Sequence, residues 1–482
     1  MDLLLKNARC VDPAAGFFEP VLRDILIHRG KILKICEPGV LEIKRAQGES
    51  FSGVGSATTE ESLSGSDSAT TEESFTGTGS ATTEENFSGS GLAETEELDI
   101  AGKLLVPGLM DMHVHLRDPG QEYKEDIASG TRAAARGGFT AVLAMPNTKP
   151  TIDRGSEVAY VLDKARQTAS AHVFVAGSLT SGLKGEALAE MGDMLAAGAV
   201  AFTDDGRGVQ DSGLMRLAME YASTLGAPVL SHCQVEALVR GGQIHEGVMS
   251  TRLGLDGWPA AGEEIQIARD IALCELTGCA LHIQHLSTAG GLSLIRAAKS
   301  KGLPVTAEVT PHHLFLSEAN LDETYNTNFK MNPPLRTAAD AAALREALIT
   351  GEIDCIATDH APHASHEKSL EFELAPFGVT GLETALSLVL TEMVNKGELP
   401  LADLVERMAH APRRILGLEP VTLTEGAPAD LTVIDTEIEW EVCSDDFASK
   451  SKNNAFVGSK LKGRASEVFV GGRAVVKGSI LI

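Results

Sequence analysis

Through the middle of the chain, short apolar runs alternate with longer stretches whose apolar residues recur every three or four positions. The runs are GLMDMHVHL, FTAVLAMPN, HVFVAGSL, AVAFTDD, APVLSHC, ALHIQHLS, LPVTAEVT and DCIATDH, and they read as buried strands. Between most of them lie amphipathic segments such as KEDIASGTRAAARGG, GLMRLAMEYASTLG and GGLSLIRAAKSKG, which read as helices. Eight strands with helical crossovers predict an α/β fold, a (β/α)8 TIM-like barrel over residues 107–417. The two ends have a different rhythm. LLLKNARCVD, VLRDILIHRGKILKI, LDIAGKLLVPG, GAPADLTVID and ASEVFVGGRAVVKGS alternate apolar and polar positions between glycine or polar turns. They predict one small β-domain assembled from residues 1–106 and 418–482.

One stretch fits neither rhythm. FSGVGSATTEES, LSGSDSATTEES, FTGTGSATTEEN and FSGSGLAETEEL follow one another from Phe51 to Leu98 with a period of 12. Each unit carries about one large apolar residue, too few to bury a core. Residues 46–98 are therefore expected to form a solvated, disordered insertion rather than a stacked solenoid. The same residues hold eleven Asp and Glu and no Lys or Arg, so much of the net charge of −26 is local. An acidic surface argues against a nucleic-acid partner.

No apolar stretch approaches the roughly 20 residues of a membrane span, and the start MDLLLKNARCVDP lacks the pattern of an export signal. The seven cysteines form no CxxC pair, which suits reduced thiols in a cytoplasm and argues against a thiolate-bound zinc.

Potential metal ligands collect at the C-terminal ends of the barrel strands, where this fold builds its active sites. His113 and His115 end the first strand, Asp204 and Asp205 the fourth, His232 the fifth, His285 the sixth and Asp359 the eighth. Imidazoles and carboxylates without cysteine suit a catalytic zinc or similar divalent ion with open coordination positions. Strand parity separates the two aspartates only weakly. Asp205 shares a face with Thr203, Ala201 and Ala199, and Asp204 shares one with Phe202 and Val200. His282 is out of phase with His285 and is expected to pack or support, and His172 begins a strand rather than ending one. His312 and His313 follow the seventh strand, where a supporting role and a packing role stay equally open.

The series DMHVHLRDPG, GGFTAVLAMPNTKP, AFTDDGRG, SHC, TAEVTPHHL, KMNPPLR, IATDHAPH and APFGVTGLE resembles the motifs of the class I dihydroorotases of the amidohydrolase superfamily. The resemblance covers nearly the whole chain outside the insertion. It implies reversible cyclisation of N-carbamoyl-L-aspartate to L-dihydroorotate in pyrimidine biosynthesis, through a metal-bound hydroxide with Asp359 as general acid/base. It implies one or two Zn2+ per subunit, with His113, His115 and Asp359 on one ion, His232 and His285 on the other, and Asp205 bridging. Substrate contacts are implied for His115, Arg117, Asn147, Asn332, His363 and the backbone of Phe377 and Gly378. A homo-oligomer and an association with aspartate transcarbamoylase are the implied partners. The sequence departs from the family's pattern at HCQVE, where acidic residues often follow HC, and in the repeat insertion. The alternatives are another cyclic amidohydrolase of hydantoinase or allantoinase type, or a non-catalytic dihydroorotase-like scaffold.

Overall fold

The computed structural model describes residues 2–41 and 95–482. Eight parallel strands run in sequence order around one sheet: Leu109–Val114, Phe139–Ala144, His172–Gly177, Ala199–Phe202, Val229–Ser231, Leu281–Ile283, Val305–Val309 and Cys355–Ile356. The ends of the sheet meet through a parallel bridge between Val114 and His360, so the sheet curls into a barrel. These are the eight apolar runs of the sequence. The three quoted amphipathic segments form Ile127–Arg136, Ser212–Leu225 and Ala289–Ser300. Their starts are set locally: Asp126, Asp211 and Thr288 each accept a backbone N–H of the first turn at a helix N-cap.

Two apolar layers hold the barrel. Met110, Met112, Ala141, Leu143, Ala176, Ala201, Leu230 and Cys355 fill its interior. Phe139, Val175, Phe202, Val229, Ile283 and Val309 face outward against the helices. Phe139 and Phe202 are fully buried there, and burying such a ring contributes about 1.5–3 kcal/mol each. Ala201 packs inside with Val200, and Phe202 outside with Ala199, so the simple alternation read from AVAFTDD is broken by a register shift at Val200 and holds only from Ala201 onward.

Both chain ends share one sheet. Asp2–Asp12 pairs antiparallel with Phe17–His28 and parallel with Leu104–Pro107. Leu104–Pro107 in turn pairs with Leu431–Glu441, which pairs with Lys460–Val470. A separate core of Leu3, Leu5, Cys10, Ile25, Ile27, Leu105, Val433 and Phe469 lies under this sheet.

Most of the predicted insertion, residues 46–94, lies outside the described residues. Its last four residues do not behave as an insertion. Thr95–Asp99 forms a strand parallel to Asp2–Lys6, with half-buried Leu98 packed on the β-domain core. An available sheet edge satisfies this segment's backbone groups, which its acidic composition did not signal.

Candidate metal centre and substrate site

The centre is assembled from strand ends. His115 N donates to His360 O (2.9 Å), which fastens the first strand to the segment after the eighth. A register slip in the pairing of the first two strands falls between Asp111 and Val114. Met112 packs inside the barrel and Val114 outside it, so the alternation shifts at His113 and both imidazoles reach the mouth. Beneath them, the Asp111 carboxylate accepts from His113 N (3.1 Å) and Thr358 N (3.1 Å), and burial pushes its carboxyl up to about 7.

Asp205 occupies the middle. Its Oδ1 lies 3.3 Å from His113 Nε2, 3.5 Å from His232 Nδ1 and 4.0 Å from His285 Nε2. Its Oδ2 lies 3.5 Å from His115 Nε2. Asp359 Oδ1 lies 2.9 Å from His115 Nε2 and 3.5 Å from His113 Nε2. Burial raises the Asp205 carboxyl, but the surrounding imidazoles, His113 foremost, outweigh it and hold the group well below the usual carboxylate range. The same opposition, again decided by His113 and His115, keeps Asp359 ionised.

Asp204 turns away from this centre. Its Oδ1 accepts from Leu179 N (2.9 Å) and Thr180 N (2.9 Å), and its Oδ2 accepts from the Thr180 hydroxyl. Asp204 thus ties down the loop after the third strand.

The donor set fits a divalent cation. Ligand atoms of His113, His115 and Asp359 lie within 4.8 Å of one another, as do those of His113, Asp205 and His285. His113 Nε2 and His285 Nδ1 are buried without a hydrogen-bond partner. Buried polar atoms rarely stay unpaired, and a cation would satisfy His113 Nε2 where it faces two carboxylates. His232 joins from the other side, with Nδ1 2.8 Å from His285 Nε2 and Nε2 2.9 Å from Gln234 Oε1. Gln234, at the position where the sequence departs from the family's pattern, therefore fixes which His232 nitrogen faces inward. Cys233 lies outside the cluster, its buried Sγ directed to Ser231 O (3.6 Å) and Ser231 Oγ (3.3 Å).

Further side chains orient the candidate ligands. Glu308 Oε1 accepts from His113 Nδ1 (2.5 Å) and from His285 N (3.1 Å), while its Oε2 pairs with His282 Nε2 (3.2 Å). His282 therefore supports Glu308, in keeping with its phase on the strand. His313 Nδ1 pairs with Thr310 Oγ1 (2.8 Å), its Nε2 donates to Pro333 O (3.0 Å), and the His312 ring lies beside it, tilted by 57° at 4.5 Å between centroids. Neither His312 nor His313 touches the centre's ligands through a hydrogen bond. His172 is bound to Asp430, far from the mouth (3.0 Å).

The residues implicated in substrate binding divide. Arg117 is buried beside His363, with Nη2 3.5 Å from its Nε2 and Nε donating to Pro362 O (3.2 Å). Burial, reinforced by the charges of Arg117, Lys124 and Lys368, pushes the His363 imidazole down to about 2, so it is neutral. Its Nε2 donates to Phe377 O (2.8 Å), and Gly378 follows at φ +127°. A Cβ on Gly378 would lie 2.7 Å from Ala361 Cβ, so only glycine fits. Asn147 is already engaged, accepting from His115 Nδ1 (2.8 Å) and donating to Asp205 Oδ2 (3.2 Å). Asn332 Nδ2 donates to Gln234 Oε1 (3.0 Å), and its buried Oδ1 has no partner.

Sequence reasoning passed over Glu308, Asp111 and Lys124. Glu308 was legible as a charged residue inside the apolar strand VTAEV. Lys124, which pairs with Glu367 (3.0 Å) and reaches His363 Nδ1 (3.3 Å), carried no such signal.

A family model described as Dihydro-orotase-like matches residues 102–290. The dihydroorotase of Pelotomaculum thermopropionicum is 53% identical over 385 residues, spanning 80% of this chain and 90% of that protein. The dihydroorotase of Geobacter metallireducens is 52% identical over 380 residues, 79% of this chain and 89% of that one. Among solved structures, the L-hydantoinase (dihydropyrimidinase) of Arthrobacter aurescens is similar over 100% of this chain and 97% of its own, with a TM-score of 0.79 and 25% identity. The D-hydantoinase (dihydropyrimidinase) of a Thermus species covers 100% of this chain and 96% of its own at a TM-score of 0.75 and 22% identity, a likeness of fold.

Proposed function

The chain belongs to the dihydroorotase family, and on that premise we propose which of its residues interconvert N-carbamoyl-L-aspartate and L-dihydroorotate, a step of pyrimidine biosynthesis. The observation that carries the assignment is the pairing of buried Arg117 and neutral His363 beside a six-residue cluster of imidazoles and carboxylates. His113, His115 and Asp359 would hold one zinc ion, His232 and His285 a second, with Asp205 between them. A bound divalent cation supplies an acidified water and a polarised carbonyl at neutral pH.

The chain's own groups do the rest. Arg117 presents a fork of N–H donors that matches the substrate's carboxylate. Asn332 Oδ1, unpaired and buried, accepts from an N–H of the ureide edge. In hydrolysis, Asp359 takes a proton from the attacking water and delivers it to the ring nitrogen as the carbon–nitrogen bond breaks. In cyclisation it takes that proton back from the ureide nitrogen and gives it to the departing oxygen.

Arg117→Ala is expected to raise KM for dihydroorotate by about 10- to 100-fold with a smaller change in kcat, as for a lost charge-assisted hydrogen bond. Steady-state kinetics check it, and an unchanged KM removes the carboxylate role. Hydrolysis of dihydroorotate, hydantoin and allantoin measured side by side tests the substrate: dihydroorotate is turned over, and the other two are poor substrates. Preference for hydantoin would reverse the reading.

Self-association and pairing with aspartate transcarbamoylase extend the proposal, since a transcarbamoylase makes the carbamoyl aspartate that this site closes. A cytoplasmic location accords with free cysteines of which five are buried and unpaired. Among the described residues no helix is long and apolar enough to cross a membrane.

A further inference from the structure

The loop from Phe372 to Gly378 carries the two backbone positions assigned to the substrate, and buried side chains hold it from beneath. Lys330 Nζ donates to Phe372 O (2.6 Å) and Glu373 O (3.1 Å). Lys368 Nζ donates to Pro376 O (3.0 Å) and Gly378 O (3.1 Å), and reaches Lys330 O (3.4 Å). His363 takes Phe377 O, and Asn453 Nδ2 donates to Gly378 O (3.0 Å). The Phe377 ring lies over Lys330 Nζ, 4.5 Å from its centroid, and meets the Trp258 ring edge-on at 5.8 Å. The carbonyls of Phe372, Glu373, Pro376, Phe377 and Gly378 are thus all drawn away from solvent.

This is a costly way to hold a loop. Lys330 and Lys368 are buried, and among the described residues neither forms an ion pair with a carboxylate. Burial, with the charge of Lys330 added, pushes Lys368 down to about 7. Burial pushes Lys330 down to about 8, answered only in part by Glu373. A buried ammonium without a carboxylate partner carries a desolvation cost that carbonyl dipoles and a ring face offset only in part. Two of them under one loop serve the position of that loop.

We propose that Lys330 and Lys368 are positioning residues for substrate recognition, whose ammonium groups fix Phe377 and Gly378 against His363 at the barrel mouth. The inference rests on the dihydroorotase reading of the site. Neither lysine touches the reacting atoms or the ligand cluster, so their loss acts on binding and leaves proton transfer alone.

The test is Lys368→Met in the full-length protein. Expected are a KM for dihydroorotate raised about 10- to 100-fold, kcat within about threefold, unchanged metal content and faster amide hydrogen exchange in residues 372–378. Lys368→Gln, which keeps an N–H donor but no charge, is read in the same way should the Met variant fail to fold. An unmoved KM, or a fall in kcat with KM unchanged, overturns the assignment. Wild-type turnover of dihydroorotate in the same assay separates the two readings. An inactive wild type overturns the family chemistry, whereas an active one with KM unmoved in the variants overturns only the role of the lysines.

Discussion

Asp359→Asn is expected to lower dihydroorotate turnover by about a thousandfold or more, in both directions, while most of the bound metal is retained. The carboxylate lies 2.9 Å from His115 Nε2 and 3.5 Å from His113 Nε2, so one oxygen is engaged with the ligand cluster. The imidazoles keep the group ionised against the pull of burial, as a proton acceptor at neutral pH must be. Asparagine preserves the shape and one oxygen that can still face a cation, but it has no basic site to carry a proton between water and ring nitrogen. Kinetics paired with metal analysis check the result. Loss of turnover with metal retained separates proton transfer from ligation, and wild-type turnover would remove Asp359 from the chemistry.

The second large effect separates the two neighbouring aspartates. Asp205→Asn is expected to strip metal and abolish activity, because among the described residues Asp205 is the carboxylate that faces His113, His115, His232 and His285 together. Asp204→Asn is expected to keep the metal and lose stability instead. Its carboxylate accepts two backbone N–H groups and a hydroxyl, and an amide nitrogen turned toward those donors leaves them unpaired at a cost of about 1–3 kcal/mol. Metal content and thermal unfolding of the two variants check this. Metal lost from the Asp204 variant and kept by the Asp205 variant would reverse the pair.

Much of this architecture was legible in the sequence for a simple reason. A barrel strand buried on both faces is a short apolar run, so a polar residue ending it stands out. That is how His113, His115, the Asp204–Asp205 pair, His232, His285 and Asp359 could be named before any geometry, with the family resemblance choosing Asp205 of the pair, and the structure brings all but Asp204 together. Parity fared unevenly. It separated His282 from His285 and leaned toward Asp205, but simple alternation from Met112 does not place His113 at the mouth. The register slip beside Asp111 does that, and a bulge leaves no mark in composition.

The supporting residues were the least legible. Lys330 and Lys368 look like ordinary surface lysines in a linear sequence, and only the fold shows them buried under one loop, Lys330 from far away in the chain and Lys368 from just before it. Asn147 was expected to meet substrate, yet it first bridges His115 and Asp205, a contact between strand ends that spacing cannot express. The strand Thr95–Asp99 was hidden for a related reason, since pairing with an edge needs backbone groups rather than apolar side chains.

The central claim is that a cation held by this cluster is required for interconversion of carbamoyl aspartate and dihydroorotate. The most direct measurement is dihydroorotate turnover by the purified protein before chelation, after chelation and after zinc is returned at one to two equivalents per chain. The account predicts activity lost with the metal and restored with it. Full turnover by metal-free protein would contradict it.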